Sequence, residues 1–295
     1  MMSTRTKTVN EPLENLKLVL TSPRERTKGT LTSYLQTAKS FLDFLGDRVP
    51  PSDKDFRRYF LHRRDQGITE RTLRKEFVHL KKLAAANDWP WPFTSDDTPA
   101  PEEEPFAPAF TPEEIQTLIK AQDKYSKGER FYLAVSTTWG LRREELLRIR
   151  KRDYNETTIK IKTAKRGRRV EHLIPDEIKP ILQNYHPRLK GINSLSYVFY
   201  RILEKAGLPQ RKGYGWHSIR RTVETALEWA LAENRLPLSL VADFMGWSKT
   251  RKGIVYGGAP MLGVYAHPEI MSDDPLAIDK LVLNVHPFVK FWQDR

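Results

Sequence analysis

The sequence predicts a mainly α-helical protein of two bodies, the second carrying one short β-hairpin. Three observations predict it. Apolar residues recur at helical spacing through most of the chain; one stretch, Ile159-Lys160-Ile161-Lys162, alternates as a strand; and an acidic, proline-rich stretch separates two basic halves. A chain of 295 residues is long enough for two modest domains, each with its own core. The boundaries read as a helical domain over 1–94, a linker over 95–110 and a second domain over 111–295.

In the first domain Leu31, Leu35, Ala38, Phe41, Leu42 and Leu45 fall on one helical face after Thr30. Ser52-Asp53-Lys54-Asp55 has the form of a capping box opening a second helix, which Gly67 should end. A third helix begins near Thr69, with Leu73, Phe77, Leu80 and Ala84 inward and Arg71, Arg74, Lys75, Lys81 and Lys82 on other faces. Those cations form either a solvated surface or a DNA-facing one. The linker, from Thr94-Ser95-Asp96-Asp97 through Glu102-Glu103-Glu104-Pro105, has too little apolar content to fold and should be extended. Thr111-Pro112-Glu113-Glu114 then supplies an N-cap, a proline at the first helical position and acids in the first turn. After the strand, Ala164-Lys165-Arg166-Gly167-Arg168 turns and Val170 to Ile174 can return, which places Lys165, Arg166 and Arg168 at a basic tip. From there the pattern is helical to the end. Leu276, Ile278, Leu281, Val282 and Val285 mark an amphipathic tail that closes on Phe288, Phe291 and Trp292.

The formal net charge is +13. Residues 1–94 hold 18 Lys/Arg against 11 Asp/Glu, residues 95–110 hold none against five, and residues 111–295 hold 32 against 21. Both bodies are therefore basic, and nucleic acid is the first partner to consider. The absence of cysteine excludes disulfides, thiolate metal sites and a cysteine nucleophile. No run approaches the roughly 20 apolar residues of a membrane span, and the N-terminal residues lack a signal-peptide core. A soluble, cytoplasmic protein is expected.

The chemistry-bearing residues lie in five ordered segments: Gly140-Leu141-Arg142-Arg143-Glu144-Glu145, Lys165, His217-Ser218-Ile219-Arg220, Gly246-Trp247 and Tyr265-Ala266-His267-Pro268. Attack on a phosphodiester builds negative charge, and without a metal that charge needs fixed cations. Arg142 and Arg220 suit the non-bridging oxygens, because a guanidinium is always charged and its planar fork matches two oxygens. Glu145, one turn after Arg142, can orient it or a neighbouring histidine; an ordinary surface ion pair is the alternative. A lysine beside arginines can protonate a leaving oxygen; Lys165 is the first choice and Lys162 the alternative if the strand has the other register. His217 shares a helical face with Arg220 and can donate to phosphate or accept the nucleophile's proton. With no cysteine and no Gly-x-Ser-x-Gly turn, the nucleophile should be a tyrosine. A phenol of pKa near 10 is only about 0.1% ionised at pH 7, so it needs this cation cluster.

These segments, in this order, resemble the tyrosine recombinases, the integrase family of phage, viral and mobile-element site-specific recombinases. Thr138-Trp139-Gly140-Leu141-Arg142 through Leu146 is similar to the family's first arginine box, Lys165 or Lys162 to its hairpin lysine, and His217 to Arg220 to its His-x-x-Arg box. Trp247 holds the position that the family fills with His or Trp, where a ring N–H reaches phosphate. Arg221 departs from the His common after the second arginine. Tyr265 matches a Tyr-x-His signature but lies 18 residues after Trp247; Tyr256, the alternative, lies nine after it but runs into Gly257-Gly258-Ala259-Pro260.

The resemblance implies a helical core-binding domain and a tyrosine-recombinase catalytic domain that clamp double-stranded DNA at recombination sites. It implies a homo-tetramer on DNA, a monomer or dimer off it, a 3′-phosphotyrosyl intermediate, a Holliday junction, and no metal or other cofactor. It implies action in the cytoplasm, with the protein belonging to a prokaryotic host cell or encoded by a virus or mobile element. No additional N-terminal arm-binding domain is expected. The tail commonly docks on a neighbouring subunit in this family; packing on its own domain is the alternative. Two other functions fit the same residues: type IB topoisomerase-like DNA relaxation, or an architectural or regulatory DNA-binding protein that has lost catalysis.

Overall fold

Several helix starts in this protein are set by side chains that satisfy the first free backbone N–H groups. The computed structural model describes residues 4–22, 26–100, 107–163, 169–189, 191–237, 239–246, 274 and 276–293. The chain divides into two units, residues 1–106 and 107–295.

The first unit holds four helices, α1 (Thr4–Thr21), α2 (Lys28–Leu45), α3 (Asp53–Asp65) and α4 (Glu70–Ala86). The Ser52 N–H donates to Asp55 Oδ2 at 3.0 Å, which opens α3 as the sequence indicates. Thr69 caps α4 by accepting the Thr72 N–H at 3.3 Å. α2 begins a turn earlier than expected, because the Thr27 hydroxyl captures the Thr30 N–H at 3.3 Å and moves the cap upstream. The sequence reading did not anticipate α1. Pro12 inside it removes a backbone donor, which breaks the usual helix signal, yet Leu16 and Leu20 are fully buried against α2 and α4. Asn87 stitches the two ends, donating Nδ2–H to the Pro12 carbonyl at 3.2 Å and accepting from Asn15 at 3.0 Å.

The core of this unit is aromatic. Phe41 stacks on Phe56 at 4.9 Å, and Trp91 and Phe93 close it from the segment after α4. Arg63 of α3 grips Glu76 of α4 through two bonds of 3.0 and 2.6 Å, and the Tyr59 hydroxyl donates to the same carboxylate at 3.3 Å. Burial and the adjacent Glu76 charge push the Tyr59 phenol up, so it remains a donor.

The second unit is built on α6 (Lys127–Trp139), whose residues from Phe131 to Trp139 are all buried. α5 (Pro112–Lys120) precedes it with the expected box at Thr111: its hydroxyl accepts from the Glu114 N–H at 3.2 Å, and its N–H donates to Glu114 Oε2 at 2.9 Å. α7 (Arg143–Arg148) follows, then β1 (Thr158–Lys162) and β2 (Arg169–Leu173), an antiparallel pair with Ile161 opposite Val170 and Lys162 opposite Arg169. α8 (Lys179–Gln183), α9 (Ile192–Ala206), α10 (Trp216–Glu233), α11 (Ser239–Phe244) and α12 (Ala277–Asn284) complete the described elements. α10 packs against α6, and α12 against β2 and α11. No helix among the described residues is long and apolar enough to cross a membrane.

The C-terminal segment belongs to the core of its own unit. Val282, Phe288 and Trp292 are buried in it, and Trp292 donates its indole N–H to Thr137 Oγ1 at 3.1 Å. Asp279 accepts from His172 of β2 at 2.9 Å and from the Leu173 N–H at 2.6 Å. Residues 276–293 thus pack on their own domain.

His286 uses both ring nitrogens. Nε2–H donates to the Thr138 carbonyl at 2.9 Å, and Nδ1 accepts the Phe288 N–H at 3.1 Å. A protonated ring cannot accept that second bond. Burial lowers its pKa from 6.5 to about 4, against the opposing pull of the Thr138 carbonyl. A depressed folded pKa means the unfolded chain binds the extra proton first. The stability from His286 is therefore complete above pH 6.5 and is lost as pH falls toward 4, by up to about 3 kcal/mol. Urea midpoints measured across this window should fall more steeply for the wild-type protein than for His286→Gln; equal slopes would contradict this assignment.

Candidate active site

The site is centred on a turn that α6 cannot continue. Gly140 ends the helix in the left-handed region with φ at 55°, and a Cβ there would meet Met245 Cε at 2.8 Å and Val223 Cγ1 at 3.3 Å. Only glycine lets this turn lie against α10 and the end of α11. Two residues later Arg142 starts α7, and Glu145 reaches back to it. Arg142 donates its backbone N–H to Glu145 Oε2 at 2.8 Å and Nη1–H to Oε1 at 2.9 Å.

Arg220 approaches the same carboxylate from α10, with Nη1 at 3.9 Å from Glu145 Oε2. Its Nη1 also donates to the Gly140 carbonyl at 2.5 Å. Arg220 is 3% exposed and Glu145 2%, so two guanidinium groups from distant segments share one buried carboxylate. Arg142 is half-buried and faces the surface more than its partner.

α10 is positioned by its own first turns. Trp216 donates its indole N–H to the Leu195 carbonyl of α9 at 2.8 Å, and Thr222 donates to the Phe110 carbonyl at 2.8 Å. Arg221, the departure from the family pattern, donates to the Pro108 carbonyl at 3.0 Å. His217 sits exposed in the first turn, three residues before Arg220.

A second close packing brings in the hairpin. Gly246 has φ at 65°, and a Cβ on it would lie 2.6 Å from Thr163 Cγ2 and 2.8 Å from Val170 Cγ2. Gly246 is thus pressed against Thr163 and Val170, near the paired ends of the two strands. Lys162 ends β1 on its exposed face, opposite Arg169 in register. Lys165, Arg166, Arg168, Trp247, Tyr256 and Tyr265 lie outside the described residues. In the first unit Arg71, Arg74, Lys75 and Lys81 are exposed along α4 and Lys82 is half-buried; Arg74 contacts the Pro99 carbonyl at 3.4 Å.

Sequence reasoning missed one group here. Glu224 lies one turn after Arg220 on α10, half-buried. Burial pushes its carboxyl up; Arg220 opposes that, Glu228 adds to it, and Arg142 and Arg221 oppose it. The available signal was the i, i+4 spacing from Arg220.

No protein-family model and no curated protein matches the sequence. Solved structures do. Lambda integrase bound to DNA is 17% identical, with a TM-score of 0.63 over 83% of this chain and 93% of that one. A lambda integrase tetramer bound to a Holliday junction is 16% identical, with a TM-score of 0.62 over 84% and 76%. The Tn1549 transposon integrase in complex with transposon right end DNA is 15% identical, with a TM-score of 0.56 over 87% and 95%. The fold is that of the tyrosine recombinases and integrases.

Two substitutions test this geometry. Glu145→Ala leaves Arg220 buried without its carboxylate and should lower stability by roughly 3 kcal/mol. Gly246→Ala forces a left-handed residue and a clash onto the hairpin base and should cost about 1–3 kcal/mol. Chemical denaturation measures both, and changes below about 0.5 kcal/mol would contradict the described packing.

Proposed function

We propose that this protein is a site-specific DNA recombinase that cuts and rejoins strands through a 3′-phosphotyrosyl intermediate. The observation that carries the reading is the shared carboxylate: Glu145 holds Arg142 and Arg220 together in a fold shared with lambda integrase and the Tn1549 integrase, both solved bound to DNA. Two fixed guanidinium groups suit the non-bridging oxygens of one phosphate, whose charge grows as the nucleophile arrives. Because they are pre-positioned by Glu145 and Gly140, they need not reorganise during reaction.

In the proposed reaction the Tyr265 hydroxyl attacks the scissile phosphorus, and Tyr256 is the alternative nucleophile. The O–P bond to tyrosine forms as the bond to the 5′ oxygen breaks. Lys165, or Lys162 in the alternative, supplies the proton that the 5′ oxygen needs to leave. His217 lies on the Arg220 face, where it can take the phenolic proton or donate to phosphate. Trp247 can donate its indole N–H to a phosphate oxygen.

Rejoining reverses these steps: a free 5′ hydroxyl attacks the phosphotyrosine, and the phenol leaves. Exchange between two duplexes gives a Holliday junction, which a second round resolves. The phosphotyrosine retains the energy of the cleaved bond, so the chemistry calls for no nucleotide, and the arginine pair supplies the positive charge a metal would bring. The protein would act in the cytoplasm as a tetramer on two recombination sites. The cations Arg71, Arg74, Lys75, Lys81 and Lys82 of α4, with Arg166 and Arg168 of the hairpin tip, would contact the DNA backbone.

Arg142→Ala and Arg220→Ala should retain duplex binding but lose about 10²-fold or more in strand cleavage. Arg220→Lys, which keeps the charge and loses the fork, should remain impaired. EDTA should leave cleavage intact. Loss of binding with unchanged cleavage per bound complex, or a strict metal requirement, would contradict the proposal.

A further inference from the structure

Among the described residues of the first unit, three large aliphatic side chains stand well out of the core. Leu18 of α1, Leu61 of α3 and Val78 of α4 are 66%, 58% and 50% exposed. Their surroundings differ. Leu18 lies one turn after Glu14 and Leu61 one turn before Asp65, and both acids are exposed. Cations of α3 beside Leu61 are also engaged, since Arg57 donates to the Pro92 carbonyl at 3.1 Å and Arg64 to Glu70 at 2.9 Å. Val78 alone is surrounded along its own helix by cations and one small residue.

At about 100° per residue, the solvent-facing side chains of α4 fill an arc of roughly 120° with Val78 at its middle. Arg74 and Lys81 form one edge of that arc and Lys75 and Lys82 the other, while Arg71 and Ala85 lie two turns away on the Val78 line. The two acids of α4 take no part in this face. Glu76 is buried against Arg63 and Tyr59, and Glu70 bonds Arg64 at the start of the helix. The opposite side of α4 is fastened down: Leu73 and Leu80 are fully buried, and His79 Nδ1 shares a hydrogen bond of 2.9 Å with Thr37 Oγ1. Valine is a poorer helix former than the Arg, Lys and Ala around it, and half of this one gains no burial. Neither propensity nor packing accounts for an apolar centre here.

A face used only for phosphates gains nothing from that centre, because a phosphate offers valine no contact. The major groove offers both chemistries at once. It is about 12 Å wide and admits a helix, its two walls are phosphate backbones, and the thymine 5-methyl group is an apolar feature of its floor. Two cation edges match the walls, and a short aliphatic side chain between them matches the methyl. We propose that α4 enters the major groove and that Val78 packs on a thymine methyl, which makes Val78 a specificity-determining residue. The inference rests on the reading of this protein as a site-specific DNA recombinase and adds where part of its sequence reading resides.

The test uses the full chain and a library of duplexes with a randomised tract, from which bound sequences are recovered and read. Wild type is expected to enrich a motif with a fixed A·T pair that Val78→Ala relaxes at that position. In the enriched duplex, deoxyuridine in place of that thymine removes only the methyl group. This should weaken wild type about fourfold, the worth of one buried methyl, and leave Val78→Ala unchanged. Alanine favours the helix more than valine, so the variant keeps its fold, which circular dichroism checks. Lys81→Ala should instead keep the motif and weaken all sequences alike, with a log–log salt slope smaller by about 0.9. A motif that survives Val78→Ala, or that Leu61→Ala relaxes in its place, overturns this proposal while the site-specific reading stands. Loss of self-association in DNA-free Val78→Ala with an unchanged motif would give the face to a second copy and overturn it as well. If wild type binds duplex but enriches no sequence, the site-specific reading falls and this proposal falls with it.

Discussion

One buried carboxylate organises the candidate site. Glu145 accepts from the backbone and guanidinium of Arg142 and lies beside the guanidinium of Arg220, which itself donates to the Gly140 carbonyl. Without Glu145, two like charges would approach one another in a partly dry environment with no carboxylate between them, and Arg142 would lose the acceptor that orients its guanidinium. With it, the end of α6, the start of α7 and the first turns of α10 form one rigid corner. The buried run of α6 and the indole and hydroxyl bonds of α10 make the framework stiff enough to hold that corner.

Two glycines extend the corner outward. Gly140 allows Met245 and Val223 to press on the arginine turn, and Gly246 allows Thr163 and Val170 of the hairpin base to press on the backbone at Gly246. Adjacent residues Met245 and Gly246 thus touch both the first arginine box and the strands leading to the hairpin tip. The C-terminal segment supports the same region from beneath, since His286 and Trp292 bond to Thr138 and Thr137 just before the Gly140 turn.

Much of this was legible in the sequence because the signals were local. The Ser52 and Thr111 caps, the Ile159 to Lys162 alternation and the shared face of His217 and Arg220 each depend on a few neighbouring residues, and each element forms where those residues place it. Features set by distant contacts were harder to read. α1 was hidden because Pro12 breaks the helical signal, and its reason for folding lies in Asn87 and the α4 core far along the chain. The α2 start shifted because Thr27 and Thr30 are both competent caps, and only local geometry selects the first. Glu224 went unremarked in the sequence, because its burial on α10 is set by the packing of that helix and not by neighbouring residues. The tail's amphipathic pattern fitted docking on either subunit, and residues 276–293 find partners in Thr137, Thr138 and His172 of their own unit through contacts that no spacing rule encodes.

The account turns on a tyrosine becoming covalently joined to DNA under the control of this arginine corner. The most direct measurement is to trap protein–DNA adducts with detergent on DNA from the element's own flanking region, digest them, and locate the phosphotyrosine by peptide mass spectrometry. The account predicts an adduct on Tyr265 that disappears in Arg220→Ala; an adduct on Tyr256 would keep the chemistry and change the nucleophile. Specifically bound DNA that yields no adduct on either tyrosine would contradict it and point instead to a DNA-binding protein without strand-cleaving activity.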